Sequence, residues 1–346
     1  MTGVDPWYLE NLVCPLGKSP LSLRDGELVS REGRTYPIVE GIPVMLVAEA
    51  EHTIGIARAS LARARGEGMD ERAPALHLES LGISELEKQQ VLELARGGDA
   101  PIDPVVACLV AATSGIAYRH LVGRLRTYPI PRLRLPESEG AELLDIGCNW
   151  GRWSIAAARK GYHVVGVDPS LGALMAARRV STQMGLATRY VAADARYLPF
   201  RDGTFDTVFS YSVLQHFSKA NAMKSLLEIG RTLRPGGTSL VQMPNRMGVR
   251  SLYHQARRRF REARDFEVRY WSLPELTRAF EQAVGPSQIT VDCFFGLGLQ
   301  KSDQALMPPL LRLAIDVSEA LRSVSGWLKP LVHGADSVYV TSSKAA

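Results

Sequence analysis

The chain has 346 residues, 46% of them hydrophobic and 22% charged, with a formal net charge of +5. That is a globular balance in a chain longer than one typical domain. Its four cysteines (Cys14, Cys108, Cys148, Cys293) form no CxxC pair, which argues against a disulfide scaffold or a cysteine-only zinc site and for a reducing cytoplasm. The opening MTGVDPWYLENLV lacks a basic start and an apolar signal core, and the longest weakly polar run, 104–118, is too short to span a bilayer. A soluble, cytoplasmic protein is therefore expected.

Residues 1–50 read as a small β-rich module, with tight turns at the RDG and REG steps. Residues 51–139 read as a mainly helical linker or cap. Ser84 and Glu87 predict a capping box there, and Asp103 and Pro104 predict a helix start. The segment GGDAPIDP breaks this region, and the Pro-rich TYPIPRLRLPESEG ends it.

From residue 140 to 346 the pattern alternates. Short apolar runs at 141–147, 162–168, 188–194, 205–212 and 238–244 are separated by helix-compatible sequence. That alternation predicts an α/β, doubly wound, mostly parallel sheet, with ligands bound beyond the carboxyl ends of its strands. Those ends carry Asp145, Asp168, Asp194 and Ser210–Ser212. Any one acid is readily explained as a helix N-cap, but three at successive strand ends are harder to dismiss. The positive charge also gathers here: residues 141–346 carry 26 Lys/Arg against 17 Asp/Glu, whereas residues 1–50 carry 4 against 7. This points to an anionic ligand or surface, although scattered basic excess is more often plain solvation.

The first turn, LLDIGCNWGRW at 143–153, keeps Gly147 and Gly151 but has Asn149 where a dinucleotide fingerprint needs its middle glycine. Asn tolerates a left-handed backbone, so the turn remains sharp, but Trp150 and Arg152 make a pyrophosphate a poor guest. A ligand with an amino-acid end and an adenosine end fits better. Asp168 suits the ribose hydroxyls, and Asp194 or its neighbouring backbone suits the adenine edge.

LLDIGCNWGRW, VVGVDPS, VAADARYLPFRDGTFDTVFSYSVLQHF and LRPGGTSLVQM resemble, as a set, the class I S-adenosyl-L-methionine-dependent methyltransferases of the type-11 group. The resemblance implies a Rossmann-like seven-stranded sheet whose last strand is antiparallel, with 287–296 and 336–344 as the final strands. It implies that Gly147, Cys148 and Gly151 shape the methionine-end pocket, with Asp145 and Asn149 in the same turn. Asp168, followed by Pro169 and Ser170, would hold the ribose, Asp194 and Ala195 would face adenine, and Ser210 and Tyr211 would lie beside the transferring methyl. The stretch LENLVCPL…YPIVEGIPVML resembles the small zinc-ribbon-like activator of tRNA and protein methyltransferases. Cys14 stands alone in it, so it is expected to be metal-free and held by packing.

His216 is the candidate base for an alcohol acceptor, with Tyr211 and Gln215 as orienting residues. Each has a bland reading beside it, His216 as a cap or as packing under the cofactor. No NPPY-like tetrapeptide follows the fourth strand, which disfavours methylation of adenine or glutamine nitrogen, and Asp202 and Asp206 are too few for a metal. Insertions at 245–271 and 297–335 are expected to supply amphipathic lid helices. In the first, Val249, Leu252, Tyr253, Ala256, Phe260 and Ala263 form one apolar face under an arginine-rich one. Contact with a membrane is the sharper reading of both.

The expected partner is a small-molecule, glycan or lipid-linked acceptor, anionic in one reading, methylated at oxygen. Nucleic acid ranks lower, because aromatic residues are not interleaved with the arginines. Two alternatives stay open: an RNA or protein methyltransferase with a built-in activator-like module, and a non-catalytic cofactor-binding regulator.

Overall fold

In the computed structural model the described residues are 4–51, 55–97, 101–113 and 116–346. Parts of three sequence readings, at 1–3, 98–100 and 114–115, lie outside them. Asp5 caps helix α1 (Pro6–Asn11), accepting the Trp7 N–H at 3.0 Å. Strands β1 (Leu21–Arg24), β2 (Glu27–Ser30), β3 (Thr35–Val39) and β4 (Ile42–Pro43) follow as an antiparallel meander. Asp25, Gly26 and Gly33 supply the left-handed residues its turns need.

The meander shares its core with the rest of the chain. Tyr8, Leu12 and Met45 are buried in the cluster that includes Val191 and Phe200. The Met45 N–H reaches the Ala192 carbonyl at 2.8 Å, and the Tyr8 hydroxyl reaches the Tyr190 carbonyl at 3.0 Å. It thereby covers β7, the edge strand of the large sheet described below, whose unpaired backbone would otherwise face solvent. Cys14 is buried, with its Sγ 3.2 Å from the Tyr36 hydroxyl.

Helices α2 (Ile56–Ala64), α3 (Glu85–Arg96) and α4 (Pro104–Thr113) follow. Ser84 and Glu87 make the expected capping box, and Asp103 caps α4 by accepting the Val105 and Val106 N–H groups.

The large sheet contains β5 (Glu142–Ile146), β6 (His163–Asp168), β7 (Thr188–Ala192), β8 (Phe205–Ser210), β9 (Leu233–Pro244), β10 (Ser287–Cys293) and β11 (Ser337–Ser343). Its order is β10-β11-β9-β8-β5-β6-β7, with β11 antiparallel to both neighbours and the other pairings parallel. This is the predicted Rossmann-like α/β sheet. Helices α5 (Arg152–Ala158), α6 (Leu171–Gln183), α7 (Lys219–Thr232) and α9 (Leu273–Ala283) join the strands. The chain steps outward from β5 through β6 to β7, then returns to β8 on the other side, so a crevice opens above the β5/β8 boundary.

Two expectations need correction. Strand β9 begins at Leu233, well before the apolar run expected at 238–244, because Leu233 pairs with Phe205 ahead of a register shift. The insertion helices α8 (Val249–Arg257) and α10 (Pro309–Ser325) turn their predicted apolar faces outward. On α8 the inward residues are Ser251 and Gln255, while Val249 is 64% and Tyr253 57% exposed. Polar partners fix that orientation: Asp336 accepts the Ser251 N–H at 2.8 Å, and the Gln255 amide donates to the Arg246 carbonyl at 2.8 Å. Left-handed Arg259 and Phe260 then end the helical stripe before Ala263. On α10, Ile315 and Ser318 face inward, and the Ser318 hydroxyl accepts the Phe294 N–H at 3.0 Å. No helix among the described residues is long and apolar enough to cross a membrane.

Candidate active site

The β5–α5 turn is built from three left-handed residues, Gly147, Asn149 and Gly151, with φ of 72°, 48° and 80°. A Cβ on Gly147 would lie 2.2 Å from a Val213 methyl carbon, and one on Gly151 would lie 2.8 Å from the Tyr190 hydroxyl. Both positions therefore require glycine for close approach as well as for backbone angle. Asn149 holds its own conformation, its Oδ1 accepting the Trp150 N–H at 2.8 Å.

Asp168, at the end of β6, faces this turn. Its Oδ2 accepts the Asn149 N–H at 3.0 Å and its Oδ1 accepts the Ser170 N–H at 2.9 Å. Burial raises its pKa to about 6, against those two hydrogen bonds, which lower it. Ser170 caps α6 and donates its hydroxyl to the Ser80 carbonyl at 2.7 Å, tying the 51–139 region to the site. Beyond β7, Asp194 is clasped by Arg196, whose Nη2 lies 2.6 Å from Oδ2 and 2.6 Å from the Glu51 carbonyl.

These groups line one crevice of about 570 Å³. Gly147, Cys148, Asn149 and Gly151's neighbour Trp150 form one part of its wall, and Asp168, Pro169, Ser170, Asp194 and Ala195 another. Three predicted residues, Asp145, Ser210 and Gly151, do not line it. Asp145 is fully buried beneath, accepting the Ser154 hydroxyl at 2.6 Å, and burial raises its pKa to about 7. Ser210 is likewise buried and donates to the Ile146 carbonyl at 3.1 Å, stitching β8 to β5. Gly151 shapes the turn from behind the wall.

Tyr211, Gln215 and His216 line the other end of the crevice. The Tyr211 hydroxyl donates to buried Asp292 at 3.1 Å, and its ring packs on Trp153 with centroids 4.7 Å apart. Gln215 donates its amide to the Ser212 hydroxyl at 2.6 Å. His216 stacks on Phe266 at 3.7 Å between centroids, its Nδ1–H donating to the Phe266 carbonyl at 2.7 Å. Its Nε2 faces the Gln215 amide at 3.2 Å. Burial lowers its pKa to about 4. Both ring nitrogens are engaged in these contacts, and burial makes the ring a weak base.

Sequence reading passed over Arg196, Ile56, Ala57 and Asp336, all of which line the crevice. Arg196 stands two residues after the acid it clasps, a spacing visible in the chain. Ile56 and Asp336 lie far from the motifs, and nothing local marks them.

Residues 143–237 match the family model described as a methyltransferase domain. An uncharacterized methyltransferase of Synechocystis is 33% identical over 127 residues, covering 37% of this chain and 58% of that protein. A ubiquinone biosynthesis O-methyltransferase of Agrobacterium fabrum is 31% identical over 152 residues, covering 44% of this chain and 56% of that one. The chain thus spans a little over half the length of the curated relatives it matches. The solved complex of the Haloferax volcanii Trm112 methyltransferase activator with a putative methyltransferase is 21% identical, covering 62% of this chain and 86% of that chain with a TM-score of 0.42. Residues 143–237 are thus similar to a methyltransferase domain, and they lie within a Rossmann-like α/β sheet.

Proposed function

We propose that the chain transfers a methyl group from S-adenosyl-L-methionine to an oxygen of a small-molecule, glycan or lipid-linked acceptor. The observation that carries the reading is Asp168: a nearly buried carboxylate at a strand end, braced by two backbone N–H groups, on the wall of the crevice beside Gly147, where a Cβ would not fit. A carboxylate so braced suits a pair of ribose hydroxyls. The tight turn at Gly147 admits an amino-acid end, and the apolar wall at Ala195 and Phe217 suits a base.

When bound, the cofactor supplies an electrophilic methyl on a sulfonium. The protein's part is then alignment and exclusion of water. Tyr211 is fixed by Asp292 and Trp153 at the far end of the crevice, and Phe266, pinned by His216, covers that end. The ubiquinone biosynthesis O-methyltransferases among the relatives support oxygen as the acceptor atom.

Incubation with radiolabelled S-adenosyl-L-methionine and fractionated cell extract tests the reading. Label in small molecules or lipids is expected. Label in RNA or protein alone would overturn the acceptor class, and cofactor binding without transfer to any fraction would overturn the activity.

A further inference from the structure

Behind the acceptor end of the crevice lies a second, more open hollow of about 700 Å³. The two share a wall made of His254, Phe266, Val268 and Tyr270. The hollow's own residues are Arg257, Arg258, Arg259, Arg261 and Glu267, four guanidinium groups against one carboxylate.

Two of the four are committed elsewhere. Arg261 and Glu267 form a two-pronged ion pair at 2.6 Å on each prong. Arg258 lies over the Tyr270 ring, 5.3 Å from its centroid, and donates to the Val268 carbonyl at 2.9 Å. Arg257, whose guanidinium also lies 5.9 Å from the Tyr253 ring centroid, and Arg259 have no carboxylate partner among the described residues, and both are exposed. Left-handed Arg259, with φ of 55°, turns the chain so that these cations border one hollow rather than spreading along a helix. Like charges gathered in this way repel one another unless an anion lies among them. Planar guanidinium groups match phosphate oxygens in both geometry and charge.

We propose that this hollow seats a phosphate group of the methyl acceptor, whose reacting oxygen lies across the shared wall in the crevice. The inference rests on the proposed methyl transfer for the word acceptor, but the anion site itself does not depend on it.

Calorimetric titration of the full chain with inorganic pyrophosphate tests the site, alongside flotation with phosphatidylcholine vesicles with and without phosphatidylglycerol. Saturable binding of pyrophosphate is expected, weakened about tenfold or more in an Arg257→Gln/Arg259→Gln variant, since charge-assisted pairs are the strong ones. Binding should also fall as salt rises. Loss of vesicle binding in that variant, without pyrophosphate binding by either protein, also supports the site and assigns the phosphate to a lipid headgroup. Pyrophosphate binding without vesicle binding assigns it to a free phosphorylated compound. Equal affinity of both proteins for both probes, or no affinity for either, overturns the proposal. S-adenosylhomocysteine affinity, measured in the same preparations, reports separately on the cofactor site and should not change in the variant.

Discussion

Asp168 and Asn149 hold one another: the carboxylate Oδ2 accepts the Asn149 N–H at 3.0 Å. The acid at the end of the second strand of the domain therefore braces the left-handed turn after the first. One contact serves both halves of the proposed cofactor crevice.

Replacing Asp168 with Ala should weaken S-adenosylhomocysteine binding by about tenfold to a hundredfold, the range expected when hydrogen bonds to a charged group are lost. Because burial raises this pKa to about 6, affinity in the unsubstituted protein should also fall as pH drops below about 6. There the carboxyl takes up a proton and loses its charge. Titrations across that pH range check both effects.

Asp145 gives a stability prediction of definite sign. Its folded pKa is raised to about 7 from an ordinary value of 3.8. Through that window the unfolded chain ionises while the folded one keeps its proton, so this group's contribution to stability falls as pH rises. Asp145→Asn should therefore gain stability relative to the parent on going from about pH 5 to about pH 8. Urea denaturation at both values checks the difference.

Gly147→Ala should abolish cofactor binding or destabilise the domain. The added carbon meets Val213 at 2.2 Å on a backbone with φ of 72°, and left-handed geometry alone costs an Ala about 1–2 kcal/mol. Gly26→Ala serves as a control, since its φ is 84° but nothing lies within 4 Å of the added carbon. It should show the backbone cost without loss of ligand.

His216→Asn separates the anchor from the base. A base titrating near neutrality would leave its mark on the pH dependence of kcat, which would change in the variant. Burial holds this ring at about 4 and the Phe266 carbonyl occupies Nδ1. The expected result is a raised acceptor KM with an unaltered kcat profile above about pH 6. A lost acidic limb in that profile would restore the base.

The strand ends were legible from the sequence because each is an apolar run closed by a polar residue, and period and punctuation are local signals. Asp168 and Asp194 could be found that way. Asp145 and Ser210 carry the same signature but point beneath the crevice, and a strand's side chains alternate faces in a manner that one chain does not orient. The outward faces of α8 and α10 escaped for a related reason. Apolar spacing identifies a face, but Asp336 and Phe294, distant in sequence, select the opposite face for burial. The covering of β7 by the amino-terminal meander is also a long-range relation, made through Met45 and Ala192.

Calorimetry of S-adenosylhomocysteine binding to the full chain and to Asp168→Ala tests the central claim most directly. One saturable site is expected in the parent and a severe loss in the variant. No binding to the parent, or equal affinity in the two proteins, would contradict it.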